Sequence, residues 1–152
     1  PKAKPGEQWG KPRYAAYLLS PQGNIQAIDL GETTPIDQLV AQFRHLLQHP
    51  NLDPKPISRQ LDAALMQPIR DLYQRSAGTA LPTRLLISPD SQLNLIPFAA
   101  LVDEQNRYLV ETHEITYLAS GRDLLRFQTH TASRQPPLIL ANPDYDRPGN
   151  PT

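Results

Sequence analysis

Residues 84–101 read RLLISPDSQLNLIPFAAL, and this stretch decides the fold class. Residues 84–88 form an apolar run without polar alternation, which predicts a strand buried on both faces of a sheet. Residues 89–92 predict a turn, because proline and aspartate both favour turn conformations. Residues 93–96 are expected to return along the sheet, and Pro97 opens a short helical turn.

Upstream of this stretch the sequence predicts a linker, a hairpin and a helix. Residues 1–12 contain three lysines and are interpreted as a linker from an upstream module. Residues 13–19 and 24–30 flank a proline–glycine turn, which predicts a β-hairpin. Thr34 is the expected cap of the following helix, with Asp37 in its positively polarised first turn.

Further elements follow along the chain. The first helix should end near Pro50, and the next helix should kink or restart at Pro68. Residues 114–118 are expected to form a strand and Ser120 to cap a short helix. Residues 137–141 are expected to form a last buried strand. This order predicts an α/β sandwich with a mixed sheet.

Composition excludes several classes of function. The 152 residues hold 15 basic and 15 acidic side chains, so we expect no nucleic-acid and no membrane partner, since both favour a basic surplus. The sequence has no cysteine, which excludes disulfides, thiolate metal sites and a cysteine nucleophile within these residues. No apolar run approaches the roughly 20 residues of a membrane span. We therefore expect a cytoplasmic protein, and we expect no cofactor.

Five blocks of sequence occur together in a family-like order and spacing. They are LLISPD (85–90), LNLIPFAAL (93–101), YLVE (108–111), ITYLASG (115–121) and LANPDYD (140–146). Together they resemble the CHAT family, caspase-like domains often found behind tetratricopeptide repeats and abundant in cyanobacteria. The resemblance implies that residues 13–152 form the amino-terminal part of an incomplete caspase-like α/β/α sandwich. A β-hairpin and helices would precede its mixed sheet.

The resemblance also implies a reaction. In the caspase, metacaspase and separase group a histidine takes the proton of a cysteine thiol, and the thiolate attacks a peptide carbonyl. Both residues follow buried strands later in the domain. This chain has no cysteine, and no histidine in it leads from a strand into glycine. No catalytic residue therefore transfers to this chain, and the domain is expected to continue beyond Thr152.

Two groups of residues are candidate sites. His45 and His49 lie one helical turn apart, but no third ligand is near them, so no metal site is expected. Asp144 and Asp146 follow the last buried strand, at the sheet edge where α/β folds place ligands. The resemblance puts that loop near the substrate pocket, so these carboxylates are candidates for binding a basic substrate residue. The alternative is a turn shaped by aspartate and proline.

Two functions remain open at this point. One is the non-catalytic amino-terminal half of a CHAT-type cysteine endopeptidase that cleaves partner proteins after a basic residue. The other is a scaffold that binds proteins without cutting them. The expected partners are a protein substrate or regulator and the carboxy-terminal half of the same domain. The sequence leaves open whether the end at Thr152 reflects autoprocessing after a basic residue such as Arg147, a flexible loop, or a chosen boundary.

Overall fold

The computed structural model of the chain describes residues 10–20 and 23–126. The chain divides into two compact units, Pro1–Gly121 and Arg122–Thr152. The described elements of the first unit are β1 (Arg13–Leu19), β2 (Ile25–Glu32), α1 (Thr33–Leu47), α2 (Lys55–Ala77), β3 (Arg84–Ile87), two 3-10 helices (Ser91–Leu95 and Phe98–Ala100), α3 (Leu109–Thr112) and β4 (Glu114–Tyr117). The described part of the second unit holds α4 (Asp123–Arg126).

The antiparallel hairpin of β1 and β2 confirms the sequence prediction. Tyr14 pairs with Gly31 and Ala15 with Asp29, so a bulge shifts the register between the two pairs. Gly31 has φ of 104°, a region that glycine enters without steric cost. Its N–H donates to the Asp29 carboxylate over 2.9 Å. The bulge leaves Tyr14 on the inner face, where its ring is buried in the core.

Helix α1 begins at Thr33, directly after β2. The prediction that Thr34 caps this helix is wrong, because extended Glu32 takes the cap position and makes no side-chain cap bond. The first turn contains no acidic residue, so the placement of Asp37 there is also wrong. The Asp37 carboxylate instead accepts a hydrogen bond of 2.7 Å from the Tyr14 hydroxyl. This bond joins the hairpin to the helix.

Helix α1 ends at Leu47, close to the boundary that Pro50 predicts, whereas α2 runs without interruption through Pro68. The predicted restart at Pro68 is therefore wrong. Proline lacks an N–H, so the carbonyl of Ala64 loses its helical partner. Burial of one face of α2 offsets that loss. The buried residues on this face are Ser58, Leu61, Asp62, Leu65 and Met66.

The hydrophobic core of the first unit lies where α1 and α2 pack against the segment that carries the 3-10 helices. Phe43 of α1 and Leu61 of α2 are fully buried, as is Leu101 after the second 3-10 helix. These side chains come from three distant parts of the sequence. Burying them together holds the segment 91–109 against the helix pair.

Strands β3 and β4 pair in parallel, with Leu85 opposite Ile115 and Ile87 opposite Tyr117. The prediction that β3 is buried on both faces is wrong in the described structure. Leu85 and Ile87 pack against the core, whereas Leu86 between them is 43% exposed. Successive residues of a strand face opposite sides, and no described element covers the Leu86 side.

The segment between β3 and β4 differs in part from expectation. Residues 91–95 form a 3-10 helix where a returning strand was predicted, because Asp90 caps it by accepting a 2.6 Å bond from the Ser91 N–H. The helical turn after Pro97 is confirmed at Phe98–Ala100. Helix α4 begins at Asp123, so Ser120 is not at its cap position. The strand predicted over 137–141 lies outside the described residues.

The architecture is a mixed α/β fold, as predicted, with one antiparallel and one parallel strand pair among the described residues. Within that part of the chain, no helix has both the length and the apolar character needed to cross a membrane.

Candidate functional site

The carboxyl edge of the β3–β4 pair is where an α/β fold places its ligands. Both strands reach this edge together, and the Leu118 N–H donates to the Ile87 carbonyl over 2.9 Å. One oxygen of the Asp90 carboxylate at this edge accepts the bond from the Ser91 N–H. Asp144 and Asp146 lie outside the described residues, so their role in substrate binding stays a prediction.

Tyr117 attaches the strand pair to the 3-10 segment. Its hydroxyl accepts a hydrogen bond of 2.7 Å from the Phe98 N–H. The two rings meet edge to face, with centroids 6.4 Å apart, a favourable aromatic geometry. The end of β4 is thereby attached to the segment that contributes to the core.

A charged network near the residues that precede β3 and β4 centres on Arg70 of α2. Its guanidinium donates two bonds to the Asp62 carboxylate, one of them 3.0 Å long, and a 2.9 Å bond to Glu104. Asp62 is 2% exposed. Burial raises the pKa of Asp62, because loss of hydration outweighs the bonds from Arg70.

The loop between the second 3-10 helix and α3 is built on Asp103. Its carboxylate accepts hydrogen bonds of 2.9 Å from the N–H groups of Gln105 and Arg107, and the Arg107 guanidinium binds its second oxygen. Partial burial alone would raise the pKa of Asp103, but the bonds from Arg107 outweigh it and the pKa lies below its usual value. The sequence predicts an exposed polar turn over residues 103–107; residues 104–107 are exposed, whereas Asp103 is 6% exposed.

Glu104 completes the network. Partial burial tends to raise its pKa, but the hydrogen bond and charge of Arg70, together with a backbone hydrogen bond, outweigh this effect and lower the pKa. Asp103 and Glu104 are thus each paired with a different arginine, the arrangement that a structural role requires. A general acid would need one of these carboxyl groups to have a raised pKa, and neither has one.

Three elements surround a cleft of about 450 Å³ next to this network. Helix α2 contributes one wall, the Asp103 loop a second, and the residues leading into β3 and β4 the third. No prediction from the sequence covers this site. The one available signal was Asp62 itself, an acidic residue within the apolar stripe of α2, which predicts a buried partner such as Arg70. The residues that line the cleft include Arg70, Asp71, Gln74, Glu104, Arg107 and His113.

The histidines do not form a metal site in the described structure. The rings of His45 and His49 are tilted by 40° with centroids 4.2 Å apart, and His49 Nδ1 donates to the His45 carbonyl. His113 Nδ1 donates to the Pro82 carbonyl over 3.0 Å. Among the described residues no group of three potential ligands comes together.

The fold is that of a mixed α/β domain with an incompletely covered parallel strand pair. A family model described as the CHAT domain matches residues 55–151, which is more than half of the 152 residues. This chain therefore belongs to the CHAT domain family, as the sequence blocks indicate. No curated protein and no solved structure matches it significantly.

Proposed function

We propose that this chain is the non-catalytic amino-terminal part of a CHAT-type cysteine endopeptidase. The observation that carries the proposal is the family match over residues 55–151 in a chain that has no cysteine. A cysteine peptidase needs a thiolate and a base that activates it. Both groups would come from residues outside these 152, in the carboxy-terminal half of the same domain.

Exposed side chains on the parallel strand pair are evidence for a larger sandwich that would cover them. On one side of the strands Leu86 is 43% exposed, and its register partner Thr116 is exposed as well. Parallel sheets occur almost only with both faces covered. A caspase-like α/β/α sandwich would add further strands and a helical layer over these two side chains. Residues 13–152 would then form the first half of the domain, with residues 1–12 leading from an upstream module such as a tetratricopeptide repeat.

The proposed substrate is a partner protein with a basic residue before the cut. The support is chemical: Asp144 and Asp146 follow the apolar run 137–141 in the sequence. Carboxylates pair strongly with guanidinium and ammonium groups. Cleavage in the cytoplasm, and autoprocessing after a basic residue, belong to the same proposal.

A protein-binding scaffold is the second candidate. It is favoured by the absence of cysteine and by the pairing of the buried carboxylates Asp62 and Asp103 with arginines. In this case the domain would hold a partner or regulator without cutting it.

The deciding experiment compares the full-length protein with a variant in which its candidate cysteine is replaced. Intact mass and terminal sequencing report whether a fragment forms. A fragment that appears only in the wild type supports the endopeptidase. The same uncut mass for both proteins, with no cleavage of an added basic substrate, contradicts it and supports the scaffold. Asp144→Asn and Asp146→Asn, made singly in the same protein, test whether a basic preference depends on either carboxylate.

A further inference from the structure

Most guanidinium nitrogens in the cleft beside α2 are engaged within the protein, whereas several hydrogen-bond acceptors there are unused. The Arg70 guanidinium is bound to Asp62 and Glu104, and that of Arg107 to Asp103 and Gln105. Most of the donors that could bind an anion are therefore already engaged within the protein. Two guanidinium nitrogens, Arg107 Nη1 and Arg70 Nε, make no bond within residues 10–20 and 23–126.

Several acceptors in the same cleft remain available. Glu104 binds Arg70 through one oxygen, which leaves the second for a ligand. The exposed Asp71 carboxylate forms no ion pair within the described ranges. His113 donates from Nδ1 to a carbonyl, so in the neutral ring Nε2 presents a lone pair. The Gln74 amide is exposed in the same lining and can accept as well as donate.

The residues that line the cleft carry more negative than positive charge. Asp71, Asp103 and Glu104 provide three carboxylates against the two guanidinium groups of Arg70 and Arg107. The buried Asp62 beneath the lining adds one more negative charge. The cleft is thus acidic although the whole chain is neutral.

We infer that this cleft binds an arginine side chain presented by a partner protein. A guanidinium has five N–H donors in a planar fork, which suits several separate acceptors better than the compact ammonium of lysine does. The volume of about 450 Å³ falls in the range of small-ligand sites. The apolar side chains of Leu81 and Leu109 in the lining can pack against the aliphatic part of the arginine. Binding at this cleft requires no proteolysis.

The test is an NMR titration of the isotope-labelled 152-residue chain at neutral pH. The probe is N-acetyl-L-arginine methylamide, and the matched neutral probe is the citrulline counterpart, which keeps the shape and loses the charge. We expect signals of Gln74, Glu104 and His113 to shift with the arginine probe, with a dissociation constant on the order of 1 mM. The citrulline probe should shift them little.

Substitutions in the lining test the acceptors. Asp71→Asn and Glu104→Gln should each weaken binding about fivefold, the loss expected for one exposed charged contact. Asp53→Asn is the control, because it removes one negative charge outside the cleft, and asparagine can still accept the bond from the Lys55 N–H. Amide dispersion reports that each variant is folded.

Four outcomes would overturn the inference. One is the absence of shifts in the lining with the arginine probe at concentrations on the order of 50 mM, far above the expected dissociation constant. Another is equal shifts with the citrulline probe. The third is the same affinity for Asp71→Asn as for Asp53→Asn. Inorganic phosphate is titrated in parallel, and tighter binding of phosphate than of arginine would also refute the inference. None of these results bears on whether the full-length protein cuts peptides.

Discussion

Arg70 balances the charge of a buried carboxylate. Replacing Arg70 should therefore lower the free energy of unfolding considerably. Asp62 is 2% exposed, and in the structure its charge is balanced by Arg70. Arg70→Met keeps most of the side-chain volume and leaves Asp62 buried without a partner. Breaking a buried ion pair from one side costs about 3–5 kcal/mol.

The lower end of that range applies to this pair. The side chain of Arg70 is 21% exposed, so water screens part of the interaction. We therefore expect Arg70→Met to lower the free energy of unfolding by about 3 kcal/mol at pH 7. Replacing both partners, with Asp62→Leu added to Arg70→Met, should recover most of the loss, because no buried charge then remains.

The dependence on pH provides a second check. Burial already raises the pKa of Asp62, and removal of Arg70 raises it further. A carboxyl group whose pKa is higher in the folded state favours folding at low pH, and this advantage is lost as pH rises through the folded pKa. The difference between wild type and Arg70→Met should therefore shrink as the pH is lowered from neutrality towards the folded pKa of Asp62.

Urea unfolding followed by circular dichroism measures these differences. Arg13→Met is the matched control, because Arg13 also forms an ion pair, with Asp29 at 2.7 Å, but both side chains are at least half exposed. The control should leave the unfolding midpoint nearly unchanged. A loss below about 1 kcal/mol for Arg70→Met at pH 7, or a double variant no more stable than the single one, would refute the reasoning.

Three further predictions use the same assay. Tyr14→Phe removes the bond to Asp37 and should lower the free energy of unfolding by about 1.5 kcal/mol. Because burial raises the pKa of Tyr14 to about 12, the wild type should lose this advantage as pH rises from about 10 towards that value. A difference between the two proteins that stays constant over this pH range would contradict the assignment. Gly78→Ala should cost about 1 kcal/mol, since residue 78 ends α2 with φ of 69° and a Cβ there meets no neighbour; an unchanged midpoint would argue against this backbone conformation. Leu101→Ala, at a position with no exposure, should cost about 3 kcal/mol, and a loss below about 1 kcal/mol would place Leu101 outside the core.

Several elements of this protein could be predicted from its sequence, because they depend on local chemistry. The hairpin follows from two apolar runs around a turn, the helical turn after Pro97 from the fixed φ of proline, and β3 and β4 from short apolar runs. The family follows from blocks of residues in a fixed order, and the match over residues 55–151 confirms it. These features depend on residues that are close together in the chain.

Tertiary contacts decided the rest. The carbonyl left without a partner by Pro68 does not break α2, because burial of Leu61, Leu65 and Met66 on the same helix offsets the loss. The cleft brings together side chains from α2 and from a loop more than thirty residues away, as in the bond from Arg70 to Glu104. No local sequence pattern predicts that contact, because the packing of the core sets the distance between those side chains.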